Sequence, residues 1–277
     1  MQIQVLVAAM NQKDMSLYHR MKIKTSALIG NQCECNRVDK EIINGNKVVC
    51  FSFNEKGVGL NRNNTLLRAD GDICCFADED TVYVDGYKDV IEKAFTKKKK
   101  ADGIIFNIYT IGEDVGRRIN SKIKRVRWYN VLNYGTVRLA VKNNSIKKQS
   151  ICFNTLFGGG SKYSFGEDTL FMKEMLKKGL KIYTYPAYIA TVDQRESTWF
   201  KGYNEKYFFD KGALYCALSE RWCVLYILQD IIRHKKMYGN FTFGQIYKYM
   251  KNGVNGFKKD MTFREINVNG SNSDFEL

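Results

Sequence analysis

The run Ile73-Cys74-Cys75-Phe76-Ala77 passes directly into Asp78-Glu79-Asp80. No other feature of the chain limits the possible folds as much. Five apolar residues without a polar interruption read as a strand buried on both faces, the kind found in a parallel sheet covered by helices. Three acids then stand at its carboxyl end, where open α/β sheets bind ligands. Like charges crowded this way repel unless something positive sits among them. Asp78 and Asp80 diverge on a regular strand but converge at a turn. A hard cation such as magnesium or manganese takes oxygen ligands and bridges carboxylates to substrate phosphates. The plainer alternative is a solvated acidic turn.

The rest of the first 193 residues fits an alternating α/β plan. Ile3 to Ala9 is a short β-branched run and reads as a buried strand, with a brief helix around Asp14 to Lys22. Thr25 to Gly30 and Lys47 to Phe53 are further apolar runs, and Asn61 to Ala69 has helical spacing that Asp70-Gly71 stops. Val90 to Phe95 predicts a helix whose lysine run, Lys97 to Lys100, suits the negative end of its dipole. Gly103 to Tyr109 predicts a strand, and the basic stretch 111–133, with Arg117, Arg118 and Lys122, a loop with a short helix. Thr136 to Val141 and Lys148 to Phe153 look like a hairpin around Asn143-Asn144. Asp168 to Lys178 predicts a helix closed by Gly179. Leu180 to Tyr185 and Ala187 to Val192 read as two strands around Pro186. Beyond Asp193 the pattern turns helical, with one long helix over Gly212 to Lys236, a shorter one over Phe243 to Lys251, and a frayed polar tail from Val268.

Composition narrows the function classes. With 277 residues, 44% of them hydrophobic, the chain can bury one large core plus an appendage. A net charge of +15 suits a polyanionic partner: nucleic acid, an anionic bilayer or a phosphorylated substrate. No RNA-binding motif with paired aromatics occurs. The eight cysteines mostly sit in apolar runs and read as reduced thiols, and Cys33-Glu34-Cys35 is too tight for the usual zinc spacing. The N-terminus lacks a basic segment followed by a signal-length apolar core, and no apolar stretch is long enough to span a bilayer. A cytoplasmic location is therefore expected.

Two clusters of residues carry a family resemblance. Asn54-Glu55-Lys56-Gly57-Val58-Gly59-Leu60-Asn61-Arg62-Asn63, then Ala69-Asp70-Gly71-Asp72 and Phe76-Ala77-Asp78-Glu79-Asp80, resemble the N-terminal half of family 2 glycosyltransferases of the GT-A fold. Downstream, Phe157-Gly158-Gly159-Gly160 with Gly166-Glu167-Asp168-Thr169-Leu170-Phe171 resembles that family's acceptor-site segment and its catalytic carboxylate. The resemblance covers about residues 3 to 193. It implies an α/β, GT-A-like three-layer sandwich with a mixed, mainly parallel central sheet and a helical C-terminal segment. The catalytic domain would be 1–193, binding the nucleotide-sugar up to about 110 and the acceptor over about 111–193, with a helical extension over 194–277.

The same resemblance implies roles. Ala8, Ala9, Asn11, Asn31 and Gln32 would lie near base and ribose, with Gly57, Arg62, Asp78 and Glu79 also on the donor. The amides at Asn31 and Gln32 replace the acidic residue common in the family, which leaves the base open, with a UDP-sugar as the leading donor. Arg62 would border the donor pocket or pair with Asp78 or Asp80. Asp80 would be the principal ligand of a Mn2+ or Mg2+ ion, assisted by Asp78. Asp193 would stand in for the family's histidine ligand, or else cap a turn or pair with Arg195. Asp168 would be the general base of an inverting transfer, and Gly159, Gly160 and Glu167 would shape the acceptor site. The acceptor would be a glycan or lipid-linked saccharide of the capsule or lipopolysaccharide type.

Two competitors remain. Nucleotidyl transfer would use similar carboxylates and a metal, but it calls for a glycine-rich basic loop where this chain has Ala8-Ala9-Met10-Asn11-Gln12. A non-enzymatic polyanion-binding or membrane-binding module would gain nothing from Asp78, Asp80 and Asp168. No nucleic-acid partner is expected. Trp222, Leu225, Tyr226, Ile231 and Ile232, with Arg221, Arg233, Lys235 and Lys236, form an apolar face with basic flanks, as does the run 246–251. Such faces suit peripheral contact with an anionic inner membrane surface, packing on the catalytic domain, or a homo-oligomer.

Overall fold

The computed structural model describes residues 1–112, 118–193 and 202–265. The polar tail from Val268, Arg117 and the Arg195 alternative for Asp193 lie outside the described residues. The strands are β1 (Ile3–Met10), β2 (Ser26–Gln32), β3 (Arg37–Ile43), β4 (Asn46–Phe53), β5 (Ile73–Asp78), β6 (Thr81–Tyr83), β7 (Gly103–Ile111), β8 (Leu139–Lys142) and β9 (Ile182–Asp193). The helices are α1 (Ser16–Arg20), α2 (Val58–Arg68), α3 (Tyr87–Lys97), α4 (Asn143–Lys148), α5 (Glu167–Lys177), α6 (Glu205–Leu218), α7 (Cys223–His234) and α8 (Phe243–Lys258).

The described strands form one sheet in the order β3-β4-β2-β1-β5-β8-β7-β9-β6. β4, β2, β1 and β5 run parallel, as do β7 and β9, while β3, β8 and β6 oppose their neighbours. Alternate residues of the central strands feed two cores. Val5, Val7, Cys75 and Ala77 pack on one face with Leu17 and Tyr18 of α1 and Ile91 and Phe95 of α3. Leu6, Cys74 and Phe76 pack on the other with Leu66 of α2, Ile146 of α4 and Phe171 and Met175 of α5. This is the period-2 alternation of a sheet covered on both faces, and it gives the GT-A-like three-layer sandwich with a mixed, mainly parallel sheet. No helix of the described residues is long and apolar enough to cross a membrane.

Several local expectations are corrected. The proposed hairpin is instead β8 followed directly by α4. Asn143 donates its side-chain N–H to the carbonyls of Ala69 and Gly71, both at 3.0 Å, which ties the start of α4 to the turn before β5. Pro186 does not divide two strands. β9 is continuous, and its pairing with β7 shifts register between Thr184 and Ala190, the kind of irregularity where a strand tolerates proline. β3 was not anticipated, because Arg37, Asp39, Lys40 and Glu41 give it the charged composition of an edge strand. The long C-terminal helix is two, broken where Ser219 adopts an extended backbone.

Helices α6, α7 and α8 build a third core with Phe157 and Tyr163. α6 and α8 cross so closely that a Cβ on Gly212 would stand 1.9 Å from the carbonyl oxygen of Met250, and one on Gly253 1.9 Å from that of Phe209. Neither position accepts a side chain without separating the helices. The segment holding Phe157 to Phe165 is thereby clamped between the start of α2 and the C-terminal helices.

Candidate functional site

The carboxyl ends of β1, β2, β5 and β9 share one edge of the sheet, and register fixes what meets there. Ala8 is level with Gly30 on one side and Asp78 on the other. A cavity of about 710 Å³ opens over this edge. Its lining includes Ala8, Ala9, Met10, Gln32, Arg62, Asp78, Glu79, Asp80, Gly159, Glu167, Asp168 and Asp193. Most of the residues singled out in the sequence therefore come together.

Arg62 is the centre of the arrangement. Its side chain is only 4% exposed. Nη2 donates to Asp78 Oδ1 at 2.7 Å, and Nη1 donates to Asp168 Oδ1 at 2.6 Å and Glu167 Oε1 at 3.0 Å. The guanidinium also lies over the Phe153 ring, 5.5 Å from its centroid. Pairing with Asp78 and lining the cavity are thus both true of this residue. Its neighbours in α2 explain its placement. Asn61 donates to the carbonyl of Gly30, which locks the helix to β2, and Asn63 exchanges two hydrogen bonds with the backbone of Phe153. The rings of Phe76, Phe153 and Phe171 stack or meet edge-on at 4.1–5.4 Å, which ties β5 to the first turns of α5 beneath the carboxylates.

One positive charge faces three carboxylates. Burial opposes the charge on Arg62, but Asp78, Asp168 and Glu167 together outweigh it and hold the guanidinium above its ordinary pKa. Glu167 goes the other way from a simple ion pair. Burial first, and the neighbouring Asp168 charge second, push its pKa from 4.5 up to about 7 despite Arg62. A cation shared three ways cannot offset the burial of every partner. Asp168 is held from a second side as well: Thr136 donates its hydroxyl to Oδ1 at 2.5 Å and its backbone N–H to Oδ2 at 3.0 Å. Gly158 has φ of 107°, and a Cβ there would stand 2.9 Å from the Glu167 carboxylate, so a side chain would displace the acid.

Asp80 lies in the turn just before β6, and Asp193 is the last residue of β9. Thr81 pairs with Val192 in the antiparallel β6–β9 ladder, and continuing the register by one residue sets Asp80 across from Asp193. Their all-oxygen chemistry suits a hard cation that keeps its remaining positions for water or phosphate. Among the described residues, no group of three or more His, Cys, Asp or Glu side chains is set to hold a metal ion.

Four expected residues do not line the cavity. Asn31 is fully buried; its amide accepts from Gln12 N–H and donates to the Gln12 carbonyl and to Ser52 Oγ, which fixes the loop after β1. Asn11 is exposed in that loop with φ of 52°. Gly57 stands behind the wall, where its N–H donates to Gln32 Oε1 at 2.7 Å, and Gly160 packs against it. Residues missed in the sequence are Met10, Val58, Ser164 and Phe165, which line the cavity, and Thr136 and Gln12, which brace it. Gln12 Nε2 donates to Glu79 Oε2 at 2.8 Å and so closes the β1 loop onto the acidic turn. Ser164 is held by Asp210 of α6, which makes the C-terminal helices part of the site's support.

No protein-family model matches the chain, and no curated protein matches it. Among solved structures it is similar to S. aureus TarS 1-349 in complex with UDP-GlcNAc, with a TM-score of 0.60 and 11% identity over 95% of this chain and 93% of that one. It is similar to TarS 1-349 in complex with UDP at a TM-score of 0.57 and 13% identity. A further TarS structure matches 84% of this chain at 14% identity and a TM-score of 0.57, but only 43% of its own length. At these identities the likeness is one of fold.

Proposed function

We propose that the chain is a glycosyltransferase that moves a sugar, with inversion, from a nucleoside diphosphate to a hydroxyl of a glycan or lipid-linked saccharide. One observation carries this reading: Asp78 on the β5 end and Asp168 on the α5 start meet at a single arginine inside one cavity. The fold likeness to a protein solved with UDP-GlcNAc supports a UDP-sugar as donor. The nucleoside would enter between the ends of β1 and β2, past Ala9 and Gln32. Glu79 and Gln12 fix the β1 loop that forms this side. The acceptor would approach from Gly159, Ser164 and Phe165.

In the reaction the acceptor oxygen bonds to the anomeric carbon while the bond from that carbon to the β-phosphate oxygen breaks. Asp168 takes the proton of the attacking hydroxyl. Thr136 and Arg62 hold that carboxylate in one orientation, which reduces the reorganisation needed at the transition state. Glu167, buried behind it, binds an acceptor hydroxyl or lies protonated beside Arg62. Asp80 and Asp193 are the residues that would hold a magnesium or manganese ion, with Asp78 nearby. When bound, that ion supplies positive charge to the departing diphosphate. Nucleotidyl transfer is disfavoured because the end of β1 and the loop after it offer Ala9, Met10, Asn11 and Gln12 rather than a basic glycine-rich cradle.

Release of nucleoside diphosphate, measured with manganese and with or without candidate saccharide acceptors, tests the reading. Proton NMR of the product linkage tests inversion. Release of pyrophosphate from a nucleoside triphosphate and sugar phosphate would assign the competing chemistry instead. As to location, α7 keeps Ile227 and Ile231 in the core but leaves Trp222, Leu225 and Ile232 exposed beside Arg221, Arg233, Lys235 and Lys236. We infer that this face rests on an anionic membrane surface, with self-association as the alternative occupant.

A further inference from the structure

Cys33 and Cys35 are used by nothing in the reaction above, yet they are placed together. β2 ends at Gln32, and the chain bends at residues 33–35, held to β4 by the Cys33 N–H bond to the Phe53 carbonyl at 3.0 Å. The bend brings Cys33 Sγ to 3.5 Å from Cys35 Sγ. Neither thiol is buried, whereas Cys50, Cys74, Cys75, Cys216 and Cys223 are, and Cys152 is exposed far along the chain. Burial drives the Cys50 thiol up to about 11 and Cys74 to about 12, out of reach of thiolate chemistry near neutrality. Burial also acts against Cys33, but hydrogen bonding to Cys35 and Ser52, with the Arg37 charge, brings its thiol below the usual value. Cys35 shifts up because it hydrogen-bonds to Cys33. The direction of these shifts favours Cys33 as the attacking thiol of the pair.

We propose that Cys33 and Cys35 are a dithiol site that reacts with low-molecular-weight disulfides to form an intrachain Cys33–Cys35 bond in the bend after β2. The Cys33 thiolate attacks one sulfur of a small disulfide such as oxidised glutathione. That S–S bond breaks, one small thiolate leaves, and a mixed disulfide remains on Cys33. Cys35, as its thiolate, then attacks Cys33 Sγ and expels the second small thiolate. Two electrons pass from the cysteine pair to the small disulfide, and the two cysteine protons end on the released thiols. Closing the bond needs about 1.5 Å of approach between the sulfurs, given an S–S length near 2.05 Å, in a bend exposed to solvent. The site adjoins Gln32, which lines the cavity and holds Gly57.

The full chain carries its own control and a convenient cleavage point. Cys152 is exposed without a partner thiol, so the same treatment stops there at the mixed disulfide. Glu34 lies between the paired cysteines, so a Glu-specific protease separates them unless they are bonded. After incubation with excess oxidised glutathione, acid quench and alkylation, the expected result is loss of both alkylatable thiols at 33 and 35. The Glu-cleaved peptides stay joined until a reductant is added. Cys35→Ser should instead hold a persistent glutathione adduct on Cys33. The proposal is overturned if Cys33 and Cys35 both remain alkylated once Cys152 has been modified. It is equally overturned if the wild-type chain keeps glutathione on either residue without joining the peptides.

Discussion

Glu167→Gln tests the electrostatics of the site without relying on the chemistry assigned to it. Glu167 is buried, its carboxyl is raised from 4.5 to about 7, and it shares Arg62 with two other acids. A carboxyl whose folded pKa lies above its unfolded value favours folding while protonated. That contribution is complete below pH 4.5 and is lost as pH rises through about 7. At 1.36 kcal/mol for each pKa, ionisation of Glu167 costs about 3 kcal/mol above pH 7. Glutamine keeps the shape, and its carbonyl still accepts from Arg62, but it never ionises. The variant should match wild type near pH 4 and gain on it as pH rises. At pH 8 its melting temperature should be higher by roughly 6–12 °C, at about 2–4 °C per kcal/mol for a chain of this size. Melting temperatures of both proteins, without donor, across pH 4 to 8.5 supply the measurement. A gap that does not change with pH, or a variant less stable than wild type at pH 8, refutes the reasoning.

The other expectations concern activity and location. Asp168→Asn should lower turnover by roughly 10²–10⁴-fold with little change in donor affinity, as expected for a proton acceptor used in the transition state; unchanged turnover removes it from the mechanism. Asp80→Asn should weaken manganese-dependent donor binding by roughly tenfold or more, since ligand charge sets cation affinity; titration calorimetry with and without metal decides this, and equal binding refutes it. Thr136→Val deletes a charge-assisted hydrogen bond worth about 1.5–3 kcal/mol and should reduce kcat far more than it alters donor binding. Thr136→Ser should restore kcat, whereas failure of the serine to do so would make the threonine a packing residue. Vesicles of anionic lipid should float the wild-type chain at low salt, and Trp222→Ser with Ile232→Ser should abolish this; no flotation of wild type rejects membrane contact, and flotation unaffected by the substitutions moves it elsewhere.

What could be read from the sequence were the features with a local physical signature. The apolar run before Asp78 must be a buried strand wherever it lies, and the end of α5 is marked by Gly179 shortly after it. What could not be read depended on partners distant in the chain. Thr136 reads as the first residue of an ordinary strand until α5 brings Asp168, 32 residues away, within reach of its hydroxyl. Asn31 was assigned to the nucleoside because the family places a polar residue there, but only the structure reveals that Gln12 and Ser52 absorb its amide. The hairpin expected around Asn143-Asn144 failed for the same reason: the local turn signal is real, but Ala69 and Gly71 capture the asparagine and start a helix.

Arg62 shows why the two halves of the site cannot be understood separately. Asp78 lies 16 residues from it, and Asp168 lies 106. Each carboxylate belongs to a different motif, and each motif alone would be an acidic turn or an ordinary helix start. Removing the arginine would leave three acids around a buried point, at a cost of several kcal/mol of the kind measured when one partner of a buried pair is deleted. Its planar fork, with two nitrogens serving three carboxylates, is geometry that lysine does not offer. In the proposed reaction, an anionic donor entering beside Asp78 would meet the same guanidinium that orients Asp168.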